Sequence, residues 1–119
     1  MQILVVDDSK FSRNLVSSML KDTDHEIIEA SNSDEAIEKF KKFRPKLVLM
    51  DIIMPDTDGI KSLQELKKID QNSRIVMCTS VGEQKQFIQQ ALSAGASDIL
   101  TKPFTKEELE KIIQIVEQS

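Results

Sequence analysis

The sequence predicts an α/β fold, a single doubly wound (βα)5 domain with a five-stranded parallel sheet and helices on both faces. Five short apolar segments rich in β-branched residues alternate with five amphipathic segments along the chain. The apolar segments are nearly continuous, which is typical of strands buried on both faces. Because the connections between segments are short, each strand and the helix after it form one repeating unit.

The first strand, helix and second strand follow directly from the apolar pattern. Residues 3–6 form the first strand. The next segment carries Phe11, Leu15 and Met19 at four-residue intervals, so we expect this stripe to be the apolar face of an amphipathic helix. Residues 26–30 form the second strand.

The second helix begins at Ser33, where a capping side chain is followed by the acidic Asp34 and Glu35. Pro45 ends this helix, because proline cannot continue it. Residues 46–53 then form the third strand. The helix residues that we expect to face the core are Ala36, Ile37, Phe40 and Phe43.

The rest of the chain supplies three helices and two strands. The strands cover residues 74–78 and 97–101, and Gly95 ends the helix between them in a left-handed conformation. The last helix begins with a capping box of Thr105 and Glu108. The apolar positions expected to be buried are Ile60, Leu63 and Leu66, then Phe87, Ile88, Ala91 and Leu92, and finally Leu109, Ile112, Ile113 and Val116.

Composition excludes several classes of protein. The chain has 119 residues, the size of one domain, and its 20 acidic against 16 basic side chains give a formal charge of −4. Negative charge does not favour nucleic acid or an anionic membrane surface as a partner. One cysteine, Cys78, forms no internal disulfide, and the apolar run at residues 3–6 is too short for a signal peptide or a membrane span. We therefore expect one cytoplasmic, monomeric domain over residues 1–119, without an output domain.

Polar side chains end four of the five predicted strands. Asp7 and Asp8 follow the first strand, Asp51 the third, Thr79 the fourth and Lys102 the fifth. In open parallel sheets, ligands bind beyond the carboxyl ends of the strands, where the strand order reverses. With the order 2-1-3-4-5, taken over from known proteins of this architecture, the first and third strands are neighbours. The three carboxylates then lie close together.

This group of acids predicts a site for Mg²⁺. Two carboxylates about 4 Å apart repel each other by roughly 4 kcal/mol at an effective dielectric constant near 20, so a cation must offset the charge or the pKa values must rise. An oxygen-only ligand set suits Mg²⁺, which is commonly bound by one or two carboxylates together with phosphate oxygens. A carboxylate held in this way can attack a phosphoryl donor and become an aspartyl phosphate. Lys102 and Thr79 are placed to stabilise the transferred oxygens.

Four motifs resemble those of the response-regulator receiver family and are spaced along the chain as in that family: VVDDSK, LVLMDIIMPDTDG, CTS and ILTKPF. The resemblance implies that Asp51 accepts a phosphoryl group from the phosphohistidine of a sensor histidine kinase. It also implies that Asp8, Asp51 and the backbone carbonyl of Ile53 bind Mg²⁺ directly, and that Asp7 acts through a water molecule.

The same resemblance assigns further roles. Thr79 hydrogen-bonds the phosphoryl group, Lys102 pairs with it, and the peptide bond before Pro103 is cis. Such a domain catalyses its own phosphorylation and dephosphorylation and acts on no separate substrate.

Three positions deserve comparison with the family pattern. Receivers of this type carry an aromatic residue three positions before the lysine, coupled to the threonine as a rotamer switch, and Ile99 stands there. Switching must therefore use another element. Ile53 and Val81 flank the phosphoryl group and are apolar. We expect them to restrict the hydrolytic water and to prolong the life of the phosphorylated form.

The motifs favour a stand-alone regulator of the chemotaxis type, whose phosphorylated form binds a flagellar motor switch. Ile115 lies off the apolar stripe of the last helix and, with Ile99, predicts an exposed binding patch for this phosphorylation-dependent partner. A phosphatase is a further possible partner. The alternative is a phosphorelay intermediate, which passes the phosphoryl group from Asp51 to a histidine of a phosphotransfer protein.

Two other classes fit the sequence less well. A phosphatase with an aspartyl-phosphate intermediate needs a second acid two residues after the nucleophile, where Ile53 stands. A flavin or dinucleotide binder needs glycine in the turn after the first strand, but that turn reads Asp-Asp-Ser-Lys and the chain has no G-x-G-x-x-G motif.

Overall fold

The computed structural model describes residues 1–54, 57–80 and 85–118, apart from the side chains of residues 53, 54 and 57. Strands and helices alternate along this part of the chain. In order they are β1 (Gln2–Val6), α1 (Lys10–Leu20), β2 (Glu26–Ala30), α2 (Ser33–Phe43), β3 (Leu47–Asp51), β4 (Ile53–Met54), β5 (Thr57–Asp58), α3 (Gly59–Ile69), β6 (Arg74–Ser80), α4 (Lys85–Ser93), β7 (Asp98–Lys102) and α5 (Lys106–Glu117).

The main sheet has five parallel strands in the order β2-β1-β3-β6-β7, which is the predicted 2-1-3-4-5 once the short strands β4 and β5 are set aside. Strand β1 pairs with both β2 and β3, so Val6 has Ala30 and Met50 as its two neighbours. Asp51, at the end of β3, lies opposite Cys78 of β6. The strand ends that carry the predicted site residues are therefore adjacent.

The third strand is shorter than predicted, and a small hairpin follows it. Strand β3 ends at Asp51, and Ile53 belongs to β4, where it pairs with Asp58 of the antiparallel β5. The backbone N–H of Ile52 still donates to the carbonyl oxygen of Cys78, at 3.0 Å. Because the apolar residues continue past Asp51, hydrophobicity alone does not mark where pairing with the main sheet ends.

Helices cover both faces of the sheet, as predicted. Along β1, Leu4 and Val6 pack beneath α2 and α3, whereas Ile3 and Val5 pack beneath α1 and α5. This alternation divides the core into two apolar clusters. The predicted stripe of α5 is confirmed, with all four members buried: Leu109, Ile112, Ile113 and Val116.

The predicted stripe of α1 is wrong for two of its three members. Phe11 and Leu15 are 72% and 46% exposed, whereas Met19 packs against the core beside the buried Val16 and Leu20. The four-residue spacing selected a stripe one residue before the buried one, and the way the helix docks on the sheet decides which of two adjacent stripes faces inward. Leu92 in α4 is likewise exposed, at 48%.

Several local predictions are settled by the backbone. Helix α2 is capped by Asn32 rather than by Ser33, because the Asn32 side chain accepts the N–H of Glu35. The capping box of α5 is present, and Gly95 has a φ of 109°. The peptide bond before Pro103 is cis. No described helix is long and apolar enough to cross a bilayer.

Candidate functional site

Three carboxylates meet at the carboxyl edge of the sheet. Oxygen atoms of Asp7, Asp8 and Asp51 all lie within 4.8 Å of one another. Asp7 and Asp8 directly follow β1, and Asp51 ends the neighbouring β3, so the pairing of these two strands brings the acids together. Asp7 is buried, Asp51 is half-buried and Asp8 is exposed. The cluster thus runs from the protein interior to the solvent.

Lys102 reaches into this cluster from the end of β7. Its Nζ lies 2.5 Å from Oδ2 of Asp7 and 3.4 Å from Oδ2 of Asp51. Burial acts to lower the pKa of Lys102, but the hydrogen bond to Asp7 and the negative charge of Asp51 outweigh it, so the pKa is raised. Lys102 therefore stays a cation and neutralises part of the acidic charge.

Thr79 stands next to the cluster on β6. It is 1% exposed and directly follows Cys78, the residue that pairs with Asp51 across the sheet. Its own neighbour on the other side is Thr101, one residue before Lys102. Thr79 therefore lies between the strand that carries the central acid and the strand that carries the lysine.

The donor set of this site fits Mg²⁺. Three carboxylates against one ammonium leave a formal charge of −2, which a divalent cation neutralises. The ligand atoms that these three acids offer are all carboxylate oxygens, the type of ligand that Mg²⁺ prefers. The exposure of Asp8 leaves one side of the cluster open to solvent, and Mg²⁺ keeps several of its waters when it binds.

A cavity of about 380 Å³ adjoins the acids on the face of the sheet that α1 and α5 cover. Asp7, Asp51 and Lys102 line its polar part, and Leu15 and Phe104 belong to its apolar wall. Cys78 also borders this space, but burial raises the pKa of its thiol to about 12. A thiol with so high a pKa is a poor nucleophile at neutral pH.

The structure brings four predicted site residues into one cluster: Asp7, Asp8, Asp51 and Lys102. The backbone of Ile53 lies two residues beyond Asp51, in β4. Val81, the other apolar residue expected beside a phosphoryl group, lies outside the described residues.

The predicted partner patch is present only in part. Ile115 is 61% exposed on α5, as expected. Ile99 is half-buried, because it packs against the core cluster beneath α2 and α3. Ile99 is therefore less exposed than predicted, because successive side chains along β7 point to opposite faces of the sheet and that of Ile99 points toward this cluster.

Comparison with known proteins identifies one family over nearly the whole chain. The response regulator receiver domain matches residues 3–114 of the chain. The chain is 45% identical over 105 residues to the chemotaxis protein CheY of Halobacterium salinarum, covering 88% of this chain and 87% of that protein. It is 45% identical over 104 residues to the chemotaxis protein CheY of Bacillus subtilis, covering 87% and 86%. The crystal structure of the receiver domain of NtrX from Brucella abortus superimposes with a TM-score of 0.91 at 32% identity, covering 98% of each chain.

Proposed function

The chain belongs to the response regulator receiver family, and on that basis we propose that Asp51 accepts a phosphoryl group from the phosphohistidine of a sensor histidine kinase. The observation that carries the proposal is the meeting of Asp7, Asp8 and Asp51 with Lys102 at the end of β3. Three carboxylates held this close repel one another, and a bound cation offsets that repulsion.

The transfer exchanges one bond to phosphorus for another. A carboxylate oxygen of Asp51 attacks phosphorus, the new O–P bond forms, and the N–P bond to the donor histidine breaks. The electron pair of that bond returns to the imidazole nitrogen, which takes up a proton. Attack by water on the same phosphorus later releases inorganic phosphate and restores the Asp51 carboxylate. The domain acts on itself in both steps.

Two side chains stabilise the phosphoryl oxygens in this proposal. Thr79 donates its hydroxyl hydrogen to one oxygen, and the ammonium of Lys102 pairs with another. Lys102 already lies 3.4 Å from Asp51, so a small movement away from Asp7 brings it to the modified side chain. These contacts distinguish the phosphorylated state from the free state, and this difference is what a partner can read.

Mg²⁺ is the proposed cofactor. Asp8, Asp51 and the backbone carbonyl of Ile53 would hold it, and Asp7 would act through a water molecule. When bound, the ion would offset the negative charge that the phosphoryl group brings to the acids.

The acceptor is tested by the intact mass of the protein after incubation with Mg²⁺ and acetyl phosphate. We expect a gain of one phosphoryl group that a chelator abolishes and that Asp51→Asn lacks. Asp58→Asn is the matched control, because Asp58 caps α3 by accepting the N–H of Ile60 at 2.9 Å and asparagine caps equally well. Labelling of Asp51→Asn, or failure of the wild type to gain mass, would contradict the proposal.

We further propose that the output is of the chemotaxis type, in which the phosphorylated protein binds a flagellar motor switch. The two relatives named as chemotaxis proteins support this choice, and the exposed Ile115 on α5 is a candidate contact. A phosphatase that removes the phosphoryl group is a further proposed partner.

The phosphorelay alternative is separated by one experiment. Phosphorylated protein is mixed with a histidine phosphotransfer protein, and the label is followed on both chains. Retention on Asp51, together with phosphorylation-dependent binding to a motor-switch protein, supports the chemotaxis function. Rapid passage of the label to the histidine supports the relay.

A further inference from the structure

Arg13 connects the ends of β1 and β2 directly beside the acidic cluster. Its side chain is only 14% exposed. Nη1 donates to the backbone carbonyl oxygen of Asp7 at 2.6 Å, and Nε donates to Oε1 of Glu29 at 2.9 Å. One guanidinium therefore holds a backbone atom of the site and a side chain of the neighbouring strand at the same time.

The carbonyl that Arg13 holds belongs to the peptide group joining Asp7 to Asp8. On the other side of the Asp7 α-carbon, the N–H of Asp7 donates to the carbonyl oxygen of Ala30 at 3.0 Å. The Asp7 backbone is thus held on both sides. Asp8 is exposed, so little packing around its side chain holds it in place. The position of its carboxylate relative to that of Asp51 therefore depends on the orientation of this peptide group.

Glu29 is itself held in place. The ammonium of Lys39, on α2, donates to the backbone carbonyl of Glu29. The Glu29 backbone also lies in register with Val5 of β1. The anchor for Arg13 is therefore part of the sheet, although the Glu29 side chain is 44% exposed.

We propose that Arg13 is a positioning residue of the metal site, which holds the Asp7–Asp8 peptide so that the carboxylates of Asp8 and Asp51 face one Mg²⁺ ion. The proposal rests on the proposed function, because it takes these acids as the metal ligands. Groups that orient metal ligands commonly change metal affinity by 10-fold or more when removed. Arg13 would change the Mg²⁺ affinity by orienting the backbone of Asp7 and Asp8 rather than by touching their carboxylates.

The positive charge of Arg13, taken alone, predicts the opposite change in Mg²⁺ affinity when Arg13 is replaced. A guanidinium close to a cation site repels the cation, so removing its charge should tighten Mg²⁺ binding if charge is what matters. Removing a hydrogen bond that orients a ligand should weaken binding. The sign of the change in affinity therefore separates the two roles.

The test is titration of Mg²⁺ into the full chain by isothermal calorimetry at constant ionic strength. Arg13→Met keeps the apolar stem of the side chain and removes both hydrogen bonds, and we expect its dissociation constant to rise about 10-fold. Arg13→Lys keeps the charge but cannot hold both partners, so we expect an intermediate rise. Glu29→Ala should weaken binding in the wild type and have no further effect in Arg13→Met.

Arg44→Ala is the matched control. Arg44 also donates to a backbone carbonyl, that of Ile69 at 3.3 Å, but it follows α2 at the opposite edge of the sheet. We expect its Mg²⁺ affinity to equal that of the wild type. Urea unfolding in the absence of metal shows whether each variant is folded under the conditions of the titration. If Arg13→Met is not folded, Arg13→Lys and Glu29→Ala test the proposal in its place.

Unchanged or tighter Mg²⁺ binding by Arg13→Met would overturn the positioning role, as would an equal loss in Arg44→Ala. The wild-type titration comes first. If the wild type does not bind Mg²⁺, the proposed function fails and this inference fails with it, whereas normal wild-type binding with unaffected Arg13 variants overturns the inference alone.

Discussion

Lys102 lies closer to Asp7 than to Asp51, at 2.5 Å against 3.4 Å. Asp7 is the more buried of the two acids, with its side chain 6% exposed against 13%. A carboxylate in that position requires a nearby cation, because burial penalises its charged form. Lys102 therefore has a structural role in addition to the chemical role proposed for it.

Lys102→Met should destabilise the protein in the absence of metal. The substitution leaves Asp7 beside Asp51 without its ammonium partner, and we expect a loss of about 2 kcal/mol in the free energy of unfolding, below the range for fully buried pairs because Lys102 is 24% exposed. The measurement is urea unfolding with a chelator. Adding Asp7→Asn should recover most of the loss, because it removes the unpaired charge.

Lys106→Met is the control for that experiment. Lys106 pairs with Glu110 one turn along α5, at 3.8 Å, and both side chains are more than 40% exposed. An exposed pair of this kind contributes about 0.5 kcal/mol or less. Equal losses of unfolding free energy in Lys102→Met and Lys106→Met would show that the Lys102–Asp7 pair stabilises the protein no more than an exposed surface pair.

Gly59→Ala should damage both stability and phosphorylation. A Cβ at Gly59 would lie 2.5 Å from the carbonyl oxygen of Ile52 and 3.0 Å from that of Asp51, and backbone atoms have little room to yield. We expect a loss of roughly 1–3 kcal/mol in the free energy of unfolding and slower labelling by acetyl phosphate, because the displaced backbone carries Asp51, the proposed acceptor. Urea unfolding and the rate of mass gain measure the two effects.

Gly95→Ala separates strain from damage to the site. Gly95 has a φ of +109°, and its nearest neighbour is the flexible side chain of Lys67 at 3.3 Å. Alanine is strained there, so we expect a loss of about 1 kcal/mol with a normal rate of labelling. If Gly95→Ala slowed labelling as much as Gly59→Ala, the local explanation for Gly59 would not hold.

Cys78 should be unreactive in the folded protein. Burial raises the pKa of its thiol from 9.0 to about 12, so at pH 8 the thiolate is about a thousandfold rarer than in the unfolded chain. We expect reaction with a disulfide reagent such as Ellman's reagent to be slow in buffer and fast in 8 M urea, a concentration chosen to unfold the chain. Comparable rates in the two solutions would show that the strand carrying Cys78 opens readily.

Ile115→Ser should leave stability almost unchanged and weaken partner binding. Ile115 is 61% exposed, so the expected change in the free energy of unfolding is within about 0.5 kcal/mol. Ile113, two residues earlier on α5, is 2% exposed, and Ile113→Ser should cost about 3 kcal/mol or more. Pull-down of a motor-switch protein with phosphorylated wild type and Ile115→Ser measures the binding. Equal capture would remove Ile115 from the proposed contact.

Local signals in the sequence were sufficient for the alternation of strands and helices, the stripe of α5 and the capping box of Thr105 and Glu108. The site acids were identifiable for a similar reason. Asp7 and Asp8 follow the apolar strand β1, Asp51 ends the apolar strand β3, and strands that run in one direction have their carboxyl ends at the same edge of a parallel sheet.

Other features depend on contacts between distant parts of the chain, and only the tertiary structure decided them. The docking of α1 on the sheet buries Val16 and leaves Phe11 exposed, whereas the four-residue spacing in the sequence predicted that Phe11 and Leu15 face inward. Arg13 reads in the sequence as one polar residue of a helix, and its two partners come into reach through the pairing of β1 with β2. The residue types and their local periodicity were determined by the sequence itself, whereas the choice of inward face and the partners of each charge followed from packing in three dimensions.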